Sequence, residues 1–264
     1  MSPVDPTVAD GTLSIGGRSL ECAWIGPRPH HAPTLVFLHE GLGSVSLWRD
    51  FPRLMADATG CGALVYSRFG YGASDPCPLP RPITFMHDEA REVLPQVVKA
   101  AGIQDFFLIG HSDGGSIALI YAGGRPASGL RGVVTLAAHV TCEPVCLKAI
   151  REARRRFVFD GLRPGLHRHH GHNTDRAFWG WNDAWLHPNF VHWDITEFLT
   201  RIAVPVLAIQ GRQDPYGTPA QVEIIGHKAA KAQSLMLSRC GHSPHGDRPK
   251  TVLAHMRQFV SNNR

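Results

Sequence analysis

The chain has 264 residues, 43% hydrophobic and 19% charged, which is enough for a substantial core and excludes an intrinsically disordered protein. Its formal charge of +5 is too small and dispersed to indicate nucleic-acid binding, though it would favour an anionic small substrate. No apolar run approaches the ~20 residues that span a bilayer, and the six cysteines lack C-x-x-C spacing, so they read as free thiols of a reducing compartment.

The start, Met1-Ser2-Pro3-Val4-Asp5-Pro6, shows neither the basic nor the apolar region of a secretory leader, and a cytoplasmic location is expected. Residues 11–25 alternate weakly around Gly16-Gly17 and predict an opening antiparallel hairpin. Short apolar runs follow at Leu35–Leu38, Ala63–Tyr66, Phe106–Ile109, Val133–Leu136, Val206–Ile209 and Leu235–Leu237. Runs of this length and content predict strands buried on both faces. Helical stretches are predicted between them at about 46–58, 85–101, 113–123, 217–230 and 248–261, the second kinked or split at Pro95. Strand alternating with helix predicts βαβ units and one mostly parallel sheet.

The alternation breaks over 141–200, which has no clear strand but Arg-rich and Trp-rich segments. Sixty residues is long for a plain connection, so this stretch is expected to be a helical insertion over the carboxyl edge of the sheet. The division is then 1–140 and 201–264 as core and 141–200 as cap. Cys142 and Cys146, four apart, would share a face if both were helical.

"GHSDGG" at 110–115 ends the third apolar run. Gly110 and Gly114 flank Ser112 in a G-x-S-x-G pattern, with a strand before it and a helix after, the context of a nucleophile elbow. A serine hydroxyl is a poor nucleophile until a base takes its proton, and an acid must orient that base. Asp214, in "GRQD", and His242, in "CGHSPH", each follow an apolar run, and the chain order is Ser112, Asp214, His242. Glu143 is a second candidate acid, while His245 and His255 compete for the base.

With these three motifs in this order, residues 30–262 or so resemble the α/β-hydrolase superfamily, and 141–200 resembles that family's cap. The resemblance implies a mostly parallel sheet flanked by helices, with a Ser112–His242–Asp214 triad and an oxyanion hole. One oxyanion donor would be the N–H of Asp113, and the other that of Gly41, in the loop after the first apolar run. Family members usually show His-Gly-X there, whereas this chain reads His39-Glu40-Gly41. Glu40 either anchors the loop or faces the pocket. Arg68, in "YSRFGYGASD", either binds a substrate carboxylate or holds that loop through backbone carbonyls.

The segment "FWGWNDAWLHPNFVHWD" concentrates aromatic residues that could line a pocket for flat or apolar substrates, and Trp179, Trp181 and Trp185, with Glu40, are the candidate substrate contacts. Arg151, Arg154, Arg155 and Arg156 wrap around a helix and read as a solvated face. "HRHHGH" at 167–172 has no carboxylate at ligand spacing, and neither metal nor cofactor is expected. The expected activity is serine hydrolysis of a carboxylic ester, lactone or thioester of an apolar or aromatic small molecule. Hydrolysis of a C–C bond in an aromatic ring-cleavage product stays open, as do a transacylase and a non-turning-over ligand receptor. The expected partner is a small molecule, not nucleic acid or membrane, with a homodimer left open.

Overall fold

The computed structural model describes residues 11–264, so the reading of Met1 to Pro6 lies outside the described residues. Strands β1 (Thr12–Ile15) and β2 (Arg18–Ile25) form the expected hairpin. Gly16 and Gly17 both take positive φ there, as a tight two-residue turn requires. Strands β3 (Thr34–Leu38), β4 (Gly62–Tyr66), β5 (Phe106–His111), β6 (Leu130–Leu136), β7 (Val206–Gly211) and β8 (Ala232–Leu237) complete an eight-stranded sheet ordered β1-β2-β4-β3-β5-β6-β7-β8. β1–β2 and β2–β4 are antiparallel and every other pair is parallel.

The apolar runs sit in the middle of this sheet because successive residues face opposite sides. Val36, Leu108, Val133 and Ala208 enter one core, and Leu35, Phe107, Val134 and Leu207 enter the other. The second core is closed by α1 (Phe51–Thr59) and α11 (Pro249–Asn262), through Phe51, Met55, Val252, Met256 and Phe259. The first is closed by α2 (Phe85–Asp88), α3 (Leu94–Ala100), α4 (Asp113–Gly123) and α9 (Ala220–Lys228).

Two predicted helices are broken in ways that follow from local chemistry. The 46–58 stretch opens with a 3-10 turn, Val45–Trp48, and Arg49 at φ 52 separates it from α1. The 85–101 stretch is split by a π-helical turn, Glu89–Val93, immediately before α3, where Pro95 has no N–H to donate.

Between β6 and β7 the chain forms α5 (Pro144–Phe159), α6 (Leu162–His170), α7 (Thr174–Trp185) and α8 (Thr196–Leu199), with 3-10 turns at Gly171–Asn173 and Pro188–His192. Cys142 precedes α5 and donates its N–H to the Trp193 carbonyl, so it does not share a helical face with Cys146. Short helix α10 (Pro244–Asp247) follows the loop after β8. Among the described residues, no helix is long and apolar enough to cross a membrane.

Candidate active site

Five loops leave the carboxyl ends of parallel strands and meet at one place, as the crevice of an open α/β sheet requires. Ser112 stands between β5 and α4 with φ 52 and ψ −119, a strained conformation for a residue carrying a Cβ. The flanking glycines permit it by close packing. A Cβ on Gly110 would lie 2.2 Å from the Gly114 carbonyl oxygen, and one on Gly114 would lie 2.0 Å from that of Leu38. The turn thus projects the hydroxyl above the sheet.

Ser112 Oγ lies 2.9 Å from His242 Nε2, and His242 Nδ1 lies 2.8 and 3.0 Å from the two Asp214 oxygens. Both partners of Ser112 come from the ends of β8 and β7, over 100 residues away in the chain. Asp214 is fully buried at its side chain and also accepts the Tyr216 N–H at 2.8 Å and the Gln210 amide at 3.3 Å. Burial raises its pKa, but the hydrogen bond and charge of His242 outweigh that and hold the carboxyl below its ordinary range. Glu143, the second candidate acid, is held elsewhere by the Thr218 N–H and hydroxyl at 2.9 and 2.5 Å. His245 packs against Trp48, and His255 bonds its own helix at the Thr251 carbonyl.

The loop after β3 is fixed from behind. The Glu40 carbonyl accepts from His39 Nδ1 at 2.7 Å, from Arg68 at 3.1 Å and from the Gly43 N–H at 3.1 Å. Because a trans peptide sets its N–H opposite its C=O, the Gly41 N–H faces away from Arg68. Gly41 lines the cavity beside Ser112, together with Asp113, whose N–H opens α4 and has no acceptor in the preceding turn. Arg68 is 1% exposed and bonds the His39 and Glu40 carbonyls, as in the loop-holding reading, so it is not available to a substrate carboxylate. His39 accepts the Arg68 N–H at its other nitrogen.

Helices α5 and α7 form the opposite wall of a cavity of about 110 Å³. Trp181 and Trp185 line it, but Trp179 does not. Trp179 packs edge-on against Phe157 and Phe178 under the Arg154 guanidinium, because on α7 it projects to the side facing α5 rather than the site. Trp181 sits so close to the loop after β3 that a Cβ on Gly41 would lie 2.1 Å from its Nε1. Trp185 donates its indole N–H to Asp113 Oδ1 at 3.1 Å, fastening α7 to the start of α4. Burial pushes the Asp113 carboxyl up, against the pull of Arg68.

Sequence reasoning missed Leu42, His139, Cys146, Ile150 and Tyr216 in this lining. The Tyr216 ring lies tilted against that of His242, centroids 4.6 Å apart, and Tyr216 stands two residues beyond Asp214, a position that could have been noticed. Cys146 and Ile150 share one face of α5 at i, i+4, a signal that identifies a buried face but not what it faces. His139 follows β6 and is fully buried; burial lowers its pKa to about 4. The lining includes no Lys or Arg, so the excess positive charge of the chain lies elsewhere.

The histidine run of α6 does structural work. His170 accepts the Gly72 N–H and contacts the Leu42 carbonyl, both at 3.0 Å, tying α6 to two site loops. His169 meets Ser46 at 2.8 Å, and His167 meets Thr174 at 3.0 Å. Arg154 and Arg155 pair with carboxylates at the surface, Asp183 for the first and Glu152 and Asp160 for the second.

The sequence profile of the alpha/beta hydrolase family matches residues 35–255. A curated relative from Yersinia pestis (strain Pestoides F), a 2-succinyl-6-hydroxy-2,4-cyclohexadiene-1-carboxylate synthase, is 30% identical over 147 residues, covering 50% of this chain and 48% of its own. The chain thus spans about half the length of the curated relatives it matches. VinJ superposes with a TM-score of 0.70 at 21% identity, covering 97% of this chain and 99% of its own. The esterase RhEst1 from Rhodococcus sp. ECU1013 gives 0.69 at 20%, covering 96% and 98%. Est816, described as an N-acyl homoserine lactone degrading enzyme, gives 0.69 at 21%, covering 94% and 99%. At these identities the likeness is one of fold.

Proposed function

The chain belongs to the alpha/beta hydrolase family, and from that premise we propose that it is a serine hydrolase of small, uncharged carboxylic esters. Ser112 Oγ attacks the ester carbonyl as His242 Nε2 takes its proton. Asp214 holds the imidazole with Nε2 toward the serine and stabilises the imidazolium that forms. The N–H groups of Gly41 and Asp113 receive the developing oxyanion. His242 then protonates the leaving alcohol, which departs with the C–O bond pair. Water, deprotonated by the same histidine, attacks the acyl-enzyme and regenerates Ser112.

The observation that carries this reading is the continuous line from Ser112 through His242 to Asp214, at 2.9 and 2.8 Å, opening into a confined apolar cavity. A cavity of about 110 Å³ suits an acyl chain of a few carbons, since cavities of ~150 Å³ hold a benzene ring. The curated relatives are named for a carboxylate compound. Here the lining offers Glu40 and Asp113 and no Lys or Arg, which favours a substrate without charge on its acyl part.

A series of p-nitrophenyl esters from acetyl to octanoyl tests the proposal. The highest kcat/KM is expected at two to four acyl carbons, with little turnover at octanoyl and little for a succinyl half-ester. Absence of Ser112-dependent turnover across the series would refute it.

A further inference from the structure

Glu40 stands where family members usually carry glycine, and its carboxylate has a specific partner. Glu40 Oε2 lies 3.3 Å from Nδ1 of His111, the residue just before Ser112. The other ring nitrogen of His111, Nε2, lies 2.7 Å from the backbone carbonyl of His242. His111 is 2% exposed, with Trp48 and His245 packed edge-on against its ring. Room for the carboxylate exists because residue 43 is glycine: a Cβ there would lie 2.3 Å from Glu40 Oε2.

We propose that Glu40 and His111 form a positioning pair for the reaction, an internal strut that holds the His242 loop in register with the oxyanion loop. The His242 carbonyl can only accept, so Nε2 of His111 carries a proton. A second proton on Nδ1, which has no hydrogen-bond partner and faces the Glu40 carboxylate at 3.3 Å, makes the ring an imidazolium paired with Glu40 by charge. The imidazolium grips the backbone of the proton-shuttling residue on one side, and on the other the residue whose peptide supplies the Gly41 N–H. The strut thus fixes the distance between the base and the oxyanion donor, which otherwise belong to loops far apart in sequence. This inference rests on the hydrolase reading for its catalytic consequence, but the charge state of His111 does not.

The surroundings favour that charge. Burial works against it, yet the adjacent charge of Glu40, the hydrogen bond to the His242 carbonyl and the field of Asp214 raise the His111 pKa above its ordinary value. Glu40 is held well below the usual carboxylate range: burial opposes this, and the neighbouring charge of His111 prevails. Besides Glu40, the titratable groups facing His111 are His242 and Asp214 from the loops after β8 and β7, His245 on α10 and His139 after β6. Burial holds His245 and His139 down to about 3 and 4, so neither competes for the proton near neutrality.

The test combines Glu40→Gln, Glu40→Ala, His111→Gln and the double variant Glu40→Gln/His111→Gln with imidazole NMR of the intact protein. In the wild type, His111 is expected to show both ring protons at pH 8, and in Glu40→Gln to titrate at lower pH. With acetyl or butyryl p-nitrophenyl ester, Glu40→Ala and His111→Gln should lower kcat about 10- to 100-fold with KM changed less than about threefold, as expected for displaced catalytic groups. The double variant should be no worse than the poorer single, because the partners act as one unit. Glu40→Gln should move the alkaline limb of kcat to lower pH. The far-ultraviolet circular dichroism of each variant identifies any that fails to fold, and Glu40→Gln then carries the comparison. A neutral His111 at pH 8, additive losses or unchanged kcat would overturn the proposal. If wild-type Ser112 fails to react with a fluorophosphonate, the hydrolase reading falls and the positioning role with it, whereas an imidazolium at pH 8 keeps the ion pair.

Discussion

The cavity has a floor and a roof that are built on different principles. Its floor consists of loops leaving β3, β5, β6, β7 and β8, the first four rooted in buried strands and the last in an edge strand that is only half-buried, unlike the doubly buried strand expected at Leu235–Leu237. Its roof consists of α5 and α7, which reach the site through side chains alone: Cys146, Ile150, Trp181 and Trp185. On the floor, chemistry is positioned by the backbone, as in the strained Ser112 and the anchored Glu40 carbonyl. On the roof, aromatic and aliphatic groups only shape the space. On the proposed reading, the floor would determine whether a bond is broken and the roof which molecule is admitted.

That division can be broken most sharply on the floor. His242→Ala removes the proposed proton shuttle, and kcat for a butyryl ester is expected to fall by at least about 10³, read by steady-state kinetics with a folded protein as control. Gly41→Ala tests the seam between the two regions. Its Cβ would collide with Trp181, so the oxyanion loop must shift, and a loss of about 10² in kcat is expected with a smaller change in KM.

The roof should respond in selectivity. Ile150→Ala enlarges the cavity, and the ratio of kcat/KM for hexanoyl over acetyl esters is expected to rise several-fold. The same change should cost about 2–5 kcal/mol of stability by chemical denaturation, since Ile150 is 1% exposed. If selectivity does not change, the roof does not shape the acyl site.

The smallest expected effect concerns His139. Burial lowers its pKa to about 4, while an unfolded histidine titrates near ~6.5. Above the unfolded value neither state holds the proton. As pH falls toward 4, only the unfolded chain takes it up, so folding loses on the order of 3 kcal/mol across this window. His139→Phe should flatten the dependence of Tm on pH between 6.5 and 4, with the neutral-pH value changed less.

The same contrast explains what was legible in the sequence. Ser112, Asp214 and His242 each follow an apolar run, and a strand hydrogen-bonded into the parallel sheet fixes where its next residues lie, so their meeting could be anticipated from chain order. The hairpin turn and the split at Pro95 were legible because glycine and proline act locally. Trp179 was misread because three tryptophans on one helix point to different sides, and only the packing of α7 against α5 separates them. His139 left no trace in any motif and Tyr216 only its place two residues after Asp214, since what makes them part of the site is proximity to His242 across loops. The contact of Glu40 was hidden for the same reason, because His111 lies at the end of β5, far from the β3 loop in the sequence.

The central claim is that Ser112 is activated by His242 and Asp214. Covalent labelling with a fluorophosphonate, read by intact-protein and peptide mass spectrometry, tests it directly. The account predicts one adduct per chain, carried by Ser112 and absent from Ser112→Ala and His242→Ala. A folded wild-type protein that takes up no adduct, or takes it up on another residue, would contradict it.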